Sequence, residues 1–290
     1  ATLHTDDTMA IATALAMGCT RAPFPQTYLG LPLAPTKPPA NAFAPLIECS
    51  CKLMTGWRAK LLDKGDRLIL ISVVLDSLLT YFMLVFCIPK KVIKTLDSLC
   101  RDFFWAEEDS CSGAQCLIAW KNVRLPKKFG GLGLKNLHVQ NNCLLMKFAA
   151  KALSTAQTPW LEWLDLQHPN SLVSPPPQTS FLCRTISQQI TTLQNISFVL
   201  TNSGSHTYFW LDTWLGSQPL AITYPHLFSH STLQLVKVAN ILRFGIEANL
   251  HNRLSLTAEQ ELVLLLAILQ DFMPSAGEDQ RFLRHGICFS

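Results

Sequence analysis

Charge is scarce in this 290-residue chain: Asp, Glu, Lys and Arg make up 15% of it, against the roughly 25% usual for soluble domains. With 49% hydrophobic residues, a chain of this length has the material for one large or two ordinary domains and a sizeable core. That excludes disorder along its whole length and argues against an isolated, highly soluble module. No basic stretch followed by an apolar run opens the sequence, so no secretory leader is read, and a first residue other than Met fits a fragment or a processed chain. The spacings of a disulfide scaffold are missing too. Ten cysteines are scattered, mostly inside apolar runs, and most are read as packing residues in a reducing, intracellular compartment.

Several chemical signatures are also lacking. Gly130-Gly-Leu-Gly133 has neither the spacing of a dinucleotide loop nor the Lys-Ser/Thr of a P-loop, and reads as a turn. Cys111 with Cys116, and Cys49 with Cys51, are joined by no second pair at zinc spacing; His226 and His230 follow Pro225 and flank Leu227 and Phe228. No metal site and no cofactor are therefore expected in this chain. Nothing in the sequence brings a Ser/His/Asp or Cys/His group together.

What is present is a charge asymmetry. From Lys52 to Lys151 there are sixteen Lys and Arg against eight Asp and Glu, a net +8, and the remainder carries −4. Such a field attracts polyanions. Its densest part is the loop with Lys121, Arg124, Lys127, Lys128 and Lys135, where Trp120 and Phe129 are interleaved. This mixture of cations and aromatics is the best candidate for contact with a nucleic-acid backbone.

The expected fold is mainly α. Capping residues followed by an alanine-rich stretch predict a short helix over 5–17, closed by Gly18. In that frame Asp6 and Asp7 read as an N-cap with an acidic first turn, although adjacent carboxylates are also how polymerases hold magnesium. Seven prolines between 22 and 45 forbid a long helix there, and Gln26–Leu33 reads as a short strand or tight β-hairpin. Two or three helices follow to about Asp109. The apolar run Leu68–Ile88 is 21 residues long, enough to span a bilayer. Ser72, Asp76 and Thr80 nevertheless form a polar stripe along it, which predicts a helix packed in a core rather than in a membrane. Helical spacing returns at 136–153. A Pro- and Ser-rich stretch, 169–180, is expected as a linker before a smaller, less regular α-rich region with clustered Trp, the segment Phe209-Trp-Leu-Asp-Thr-Trp214 as a core or turn anchor rather than a stacking platform, and a helix over 257–272.

Several ordered motifs carry a resemblance. Tyr28-Leu-Gly-Leu-Pro-Leu33, Gly56-Trp-Arg-Ala-Lys-Leu-Leu62, Gly65-x-Arg-Leu-Ile69, Val74-Leu-Asp-Ser-Leu-Leu-Thr-Tyr-Phe-Met83, Phe103-Phe-Trp105, Cys116-Leu-Ile-Ala-Trp120 and Gly130-Gly-Leu-Gly-Leu-Lys-Asn-Leu137 are similar to the region after the catalytic palm of plant LINE-type (non-LTR) retrotransposon reverse transcriptases. Farther on, Phe209-Trp-Leu-Asp-Thr-Trp-Leu215 and Glu278-Asp-Gln-Arg-Phe282 with Phe289-Ser290 resemble the stretch leading to the zinc-binding domain of those proteins. The resemblance implies the end of a palm and a primer-grip hairpin over 1–42, with Tyr28, Leu29 and Gly30 at its tip. It further implies a helical, thumb-like bundle over 43–168 and a connector over 181–290. Leu79 stands where that family often has proline, and Asp66 where it has a second glycine.

Asp6 and Asp7 lie about twenty residues before Tyr28, too close for the family's catalytic Tyr-Ala-Asp-Asp, so no catalytic residue is assigned. The implied function is that of a noncatalytic fragment of an RNA-directed DNA polymerase, nuclear if expressed. Its partners would be an RNA or DNA template–primer duplex and the rest of the polymerase, which uses magnesium, and no membrane. The alternative is a host-retained protein-binding or scaffolding module without enzyme activity.

Overall fold

The computed structural model describes residues 6–20, 22–34, 36–55, 61–105, 116–154, 158–167 and 181–284. The chain divides into two compact units, Ala1–Leu145 and Met146–Ser290. It is mainly helical with a short antiparallel hairpin near the N-terminus, in agreement with the fold read from the sequence.

In the first unit, α1 spans Asp7–Ala16, with Asp6 as its N-cap. The Asp6 carboxylate accepts from the Asp7 amide at 2.7 Å and from the Thr8 hydroxyl at 3.0 Å, which is the capping role. Strands β1 (Gln26–Tyr28) and β2 (Leu31–Leu33) pair with Tyr28 opposite Leu31. Helix α2 covers Ala44–Met54. Helix α3, Lys64–Ile69, is capped by Asp63, whose carboxylate accepts from the Asp66 amide at 2.8 Å. It runs through a π-helical stretch, Leu70–Leu75, into α4, Asp76–Met83. Leu79, 1% exposed, sits inside α4, where proline would remove a helical hydrogen bond.

The long apolar run therefore ends as a helix at Met83 and not at Ile88. Buried Asn141 supplies the reason: its amide donates to the carbonyls of Met83 and Phe86, and its oxygen accepts from the Ile88 amide. These backbone groups have left the helix and need such partners. Pro89 also disfavours a helical Ile88. Among the described residues no helix is long and apolar enough to cross a membrane.

Helix α5, Lys90–Trp105, buries Val92, Ile93, Leu96, Cys100, Phe103 and Phe104, the three- and four-residue spacing of one helical face. Short α6 is Trp120–Val123, and α7 is Leu137–Leu153. One apolar cluster gathers Phe43, Leu46, Leu79, Met83 and Leu96; a second gathers Leu75, Phe103, Phe104, Val123 and Leu134.

The second unit holds α8 (Pro159–Gln167), α9 (Phe181–Ile196) and β3 (Ser197–Leu200). Three short helices follow, α10 (Leu220–Thr223), α11 (Pro225–Ser229) and α12 (Val238–Phe244), and then α13 (Leu256–Gln270) and β4 (Gln280–Leu283). Phe209, Trp210, Leu227, Val238 and Leu265 form its main core, so Phe209–Trp214 is a core anchor as expected.

Strands β3 and β4 pair antiparallel, Ser197 opposite Leu283 and Leu200 opposite Gln280, a pairing that was not expected. It is held by polar contacts of the second motif, Glu278–Phe282, with the first motif and with the segment before it. Arg281 pairs at 2.9 Å with Asp212, which is fully buried and also accepts from Gln194 and the Tyr208 amide. Asp279 accepts from the amides of Asn202, Gly204 and His206 and from the Thr207 hydroxyl.

The division of the chain falls within α7, at Leu145 and Met146, whereas the expected linker at 169–180 lies outside the described residues, as do Gly56–Lys60, Cys111 and Phe289-Ser290. The cysteines are not uniformly packing residues: Cys100 and Cys183 are buried, but Cys19, Cys49 and Cys143 are exposed.

Candidate nucleic-acid interface

The basic segment is a turn with buried feet and an exposed tip. Val123, at the end of α6, and Leu134 are both within the core. Between them the chain doubles back: the Leu132 amide donates to the Val123 carbonyl at 2.8 Å, and the Gly133 amide to the Leu125 carbonyl at 2.9 Å. Lys127–Phe129 form one 3-10 turn ended by Gly130 at φ 81°. Gly131 is required for a different reason. A Cβ there would lie 2.0 Å from the Leu125 carbonyl oxygen, so only glycine lets the two backbones approach this closely.

The five predicted cations divide into two groups. Lys121, Lys127 and Lys128 are exposed, and none forms an ion pair among the described residues. Arg124 instead turns inward, its Nη1 donating to both carboxylate oxygens of Asp97 on α5 at 2.9 Å. Lys135 pairs with Asp76, which also accepts from Gln140 at 2.8 Å. Gln140 donates to Thr80 as well, at 3.0 Å. The Asp76/Thr80 part of the polar stripe is thus the seat on which residues 135–140 dock. Arg124 and Lys135 fasten the turn and leave the three lysines to face solvent.

The aromatics divide in the same way. Trp120 packs inward against Phe104, with ring centroids 6.1 Å apart. Phe129 is 65% exposed, and the Lys128 ammonium lies 4.9 Å from its ring centroid.

The hairpin tip is braced by the same helix that seats the basic turn. Leu29 and Gly30 have φ of 50° and 78°, the positive values that a two-residue hairpin turn demands. The Tyr81 hydroxyl on α4 donates to the Leu29 carbonyl at 2.6 Å. Tyr28 and Leu29 are 64% and 72% exposed, so two large side chains stand at a fixed tip.

Concave chemistry is limited. A cavity of about 60 Å³ beside the π-helical stretch touches Ser72, Asp76, Asp97, Trp120 and Lys135, and its two carboxylates are those already paired with Lys135 and Arg124. Buried Cys100 at its wall has its thiol pushed up to about 12 by burial, then by Asp97, with Arg124 opposing, so it remains protonated and unreactive at neutral pH. In the second unit a cleft of about 280 Å³ is lined by Thr191, Gln194, Asn195, Leu211 and Ile222, with no titratable group among those side chains. Among the described residues no three His, Cys, Asp or Glu converge as a metal site. Among the described residues of the first unit, the exposed features with charge or large side chains on a fixed backbone include the lysine turn and the hairpin tip.

No protein-family model matches the chain, and no solved structure matches it. It is similar to a protein of Arabidopsis thaliana that bears a ribonuclease H name, with 27% identity over 188 residues. That match covers 62% of this chain and 30% of the Arabidopsis protein, so the chain spans well under half the length of this curated relative.

Proposed function

We propose that this chain is a nucleic-acid-binding part of a retroelement-derived protein. More finely, it is the noncatalytic primer-grip, thumb and connector stretch of a LINE-type RNA-directed DNA polymerase, gripping the phosphate backbone of a template–primer duplex. The observation that carries the reading is the exposed set of Lys121 on α6 and Lys127 and Lys128 on the turn that follows, in a basic segment whose other two cations are held by Asp97 and Asp76. Cations on a preset backbone meet phosphates with only their side chains left to order. The ribonuclease H name of the Arabidopsis relative, carried here as part of the proposal, belongs to nucleic-acid processing and agrees with it. Magnesium chemistry is assigned to other parts of the polymerase, and no residue of this chain is given a catalytic role.

The test is duplex affinity against salt for the wild-type chain and for the K121E/K127E/K128E variant. For B-form DNA the logarithmic slope is expected to become shallower by about 0.9 for each phosphate that the variant no longer neutralises, with affinity falling at least tenfold. Equal affinity and equal slope for both proteins would overturn the proposal.

One observation favours a second reading, a protein-binding module. On α13, Val263, Leu264 and Ile268 are 67%, 60% and 42% exposed along one side, an apolar strip of the kind that meets partners. Association with a protein that is insensitive to salt, together with no affinity for duplex, would favour that reading instead.

A further inference from the structure

We infer that Phe129 is a stacking platform for an unpaired nucleobase at a duplex end, with Lys127 and Lys128 holding the phosphates on either side of it. This rests on the nucleic-acid reading above and narrows the ligand to a junction between duplex and single strand. Three observations converge on it. First, a large aromatic ring is held out in solvent, 65% exposed, while its neighbour in the basic segment, Trp120, is packed against Phe104. Second, the ring is carried by backbone with little freedom. The Phe129 amide donates to the Pro126 carbonyl at 2.8 Å, the Gly130 amide to the Lys127 carbonyl at 3.1 Å, and Gly131 abuts Leu125. Third, the ring has a cation on it and a second on the same turn: Lys128 lies over it at 4.9 Å, and exposed Lys127 is two residues before it in the chain.

An exposed ring among cations is what a base needs, because every base offers a π-face and brings a phosphate with it. Bases inside a duplex have both faces covered by their neighbours. Only an unpaired base, or the last one at an open end, has a face to give. With Lys128 over one face of the ring, a base takes the other, and the stack adds to the phosphate contacts a component that does not depend on salt.

Three probes of equal duplex length separate the possibilities: a duplex closed by loops at both ends, a blunt duplex, and one with a short single-stranded overhang carrying 2-aminopurine at the first unpaired position. The full chain is expected to bind the overhang probe about tenfold more tightly than the closed duplex and to quench the 2-aminopurine. F129A should lose that preference and the quenching while binding the closed duplex as wild type does; F129W should keep both. Circular dichroism checks that the variants fold, which the exposure of Phe129 favours. Wild-type preference and quenching retained in F129A would overturn the inference and leave the duplex-binding proposal standing. No affinity of the wild-type chain for any probe would overturn both.

Discussion

At the scale of single residues, long-range partners decide which polar groups are available. Arg124 and Lys135 look no different from Lys121, Lys127 and Lys128 in a string of letters. Their carboxylates stand 27 and 59 residues away in the chain, and nothing local announces them. The same holds for Asp279. Partial burial pushes its carboxyl up, but donors from Gly204, His206, Thr207 and Asn202 outweigh it and hold the group below the usual carboxylate range. A carboxyl depressed in the folded state contributes stability above its unfolded value of about 3.9. That contribution is lost as pH falls through the lower folded value. Asp279→Asn is therefore expected to lower the melting temperature at neutral pH and to flatten its decline in acid, so that the variant and wild type converge as acid is added. Thermal melts between neutral pH and acid check this, and parallel curves for the two proteins would contradict it.

Secondary-structure elements were more legible than their ends. The capped α1, the hairpin with its glycine, and α7 at helical spacing all follow from local pattern, because capping, turn chemistry and periodicity are encoded within a few residues. The end of α4 was not, because the deciding residue, Asn141, lies on another helix. Nor was the pairing of β3 with β4: each strand has four residues, too short for a period of two to stand out. What joins them is Arg281 on Asp212, each drawn from a motif that the sequence had marked only as similar to something known. Removing one partner of a buried ion pair costs about 3–5 kcal/mol. Arg281→Met should therefore destabilise the second unit by about 3 kcal/mol in chemical denaturation, and a loss below about 1 kcal/mol would mean that Gln194 and the Tyr208 amide suffice for Asp212.

For the whole molecule, the charge asymmetry is legible in the letters but its arrangement is not. Residues 52–151 carry the net +8, and the described part of that stretch up to Leu145 lies in the first unit. There one helical run, α3 through α4, braces both exposed features: Tyr81 holds the hairpin tip, and Asp76 with Thr80 seats the segment that follows the lysine turn. Spacing alone could not reveal that the polar stripe, read as a mark against a membrane helix, is a docking seat. The second unit has its own core around Trp210 and Leu265 and presents apolar α13 residues beside exposed cations such as Arg184, Arg243 and Arg253.

The measurement that bears most directly on the proposed role is lysine footprinting of the 290-residue chain with and without a template–primer duplex, using an acylating reagent and mass spectrometry. Lys121, Lys127 and Lys128 should become protected together when duplex is added at low salt and be modified again as salt is raised. Unchanged modification of all three in the presence of a duplex that is demonstrably bound would place the interface elsewhere and contradict the assignment.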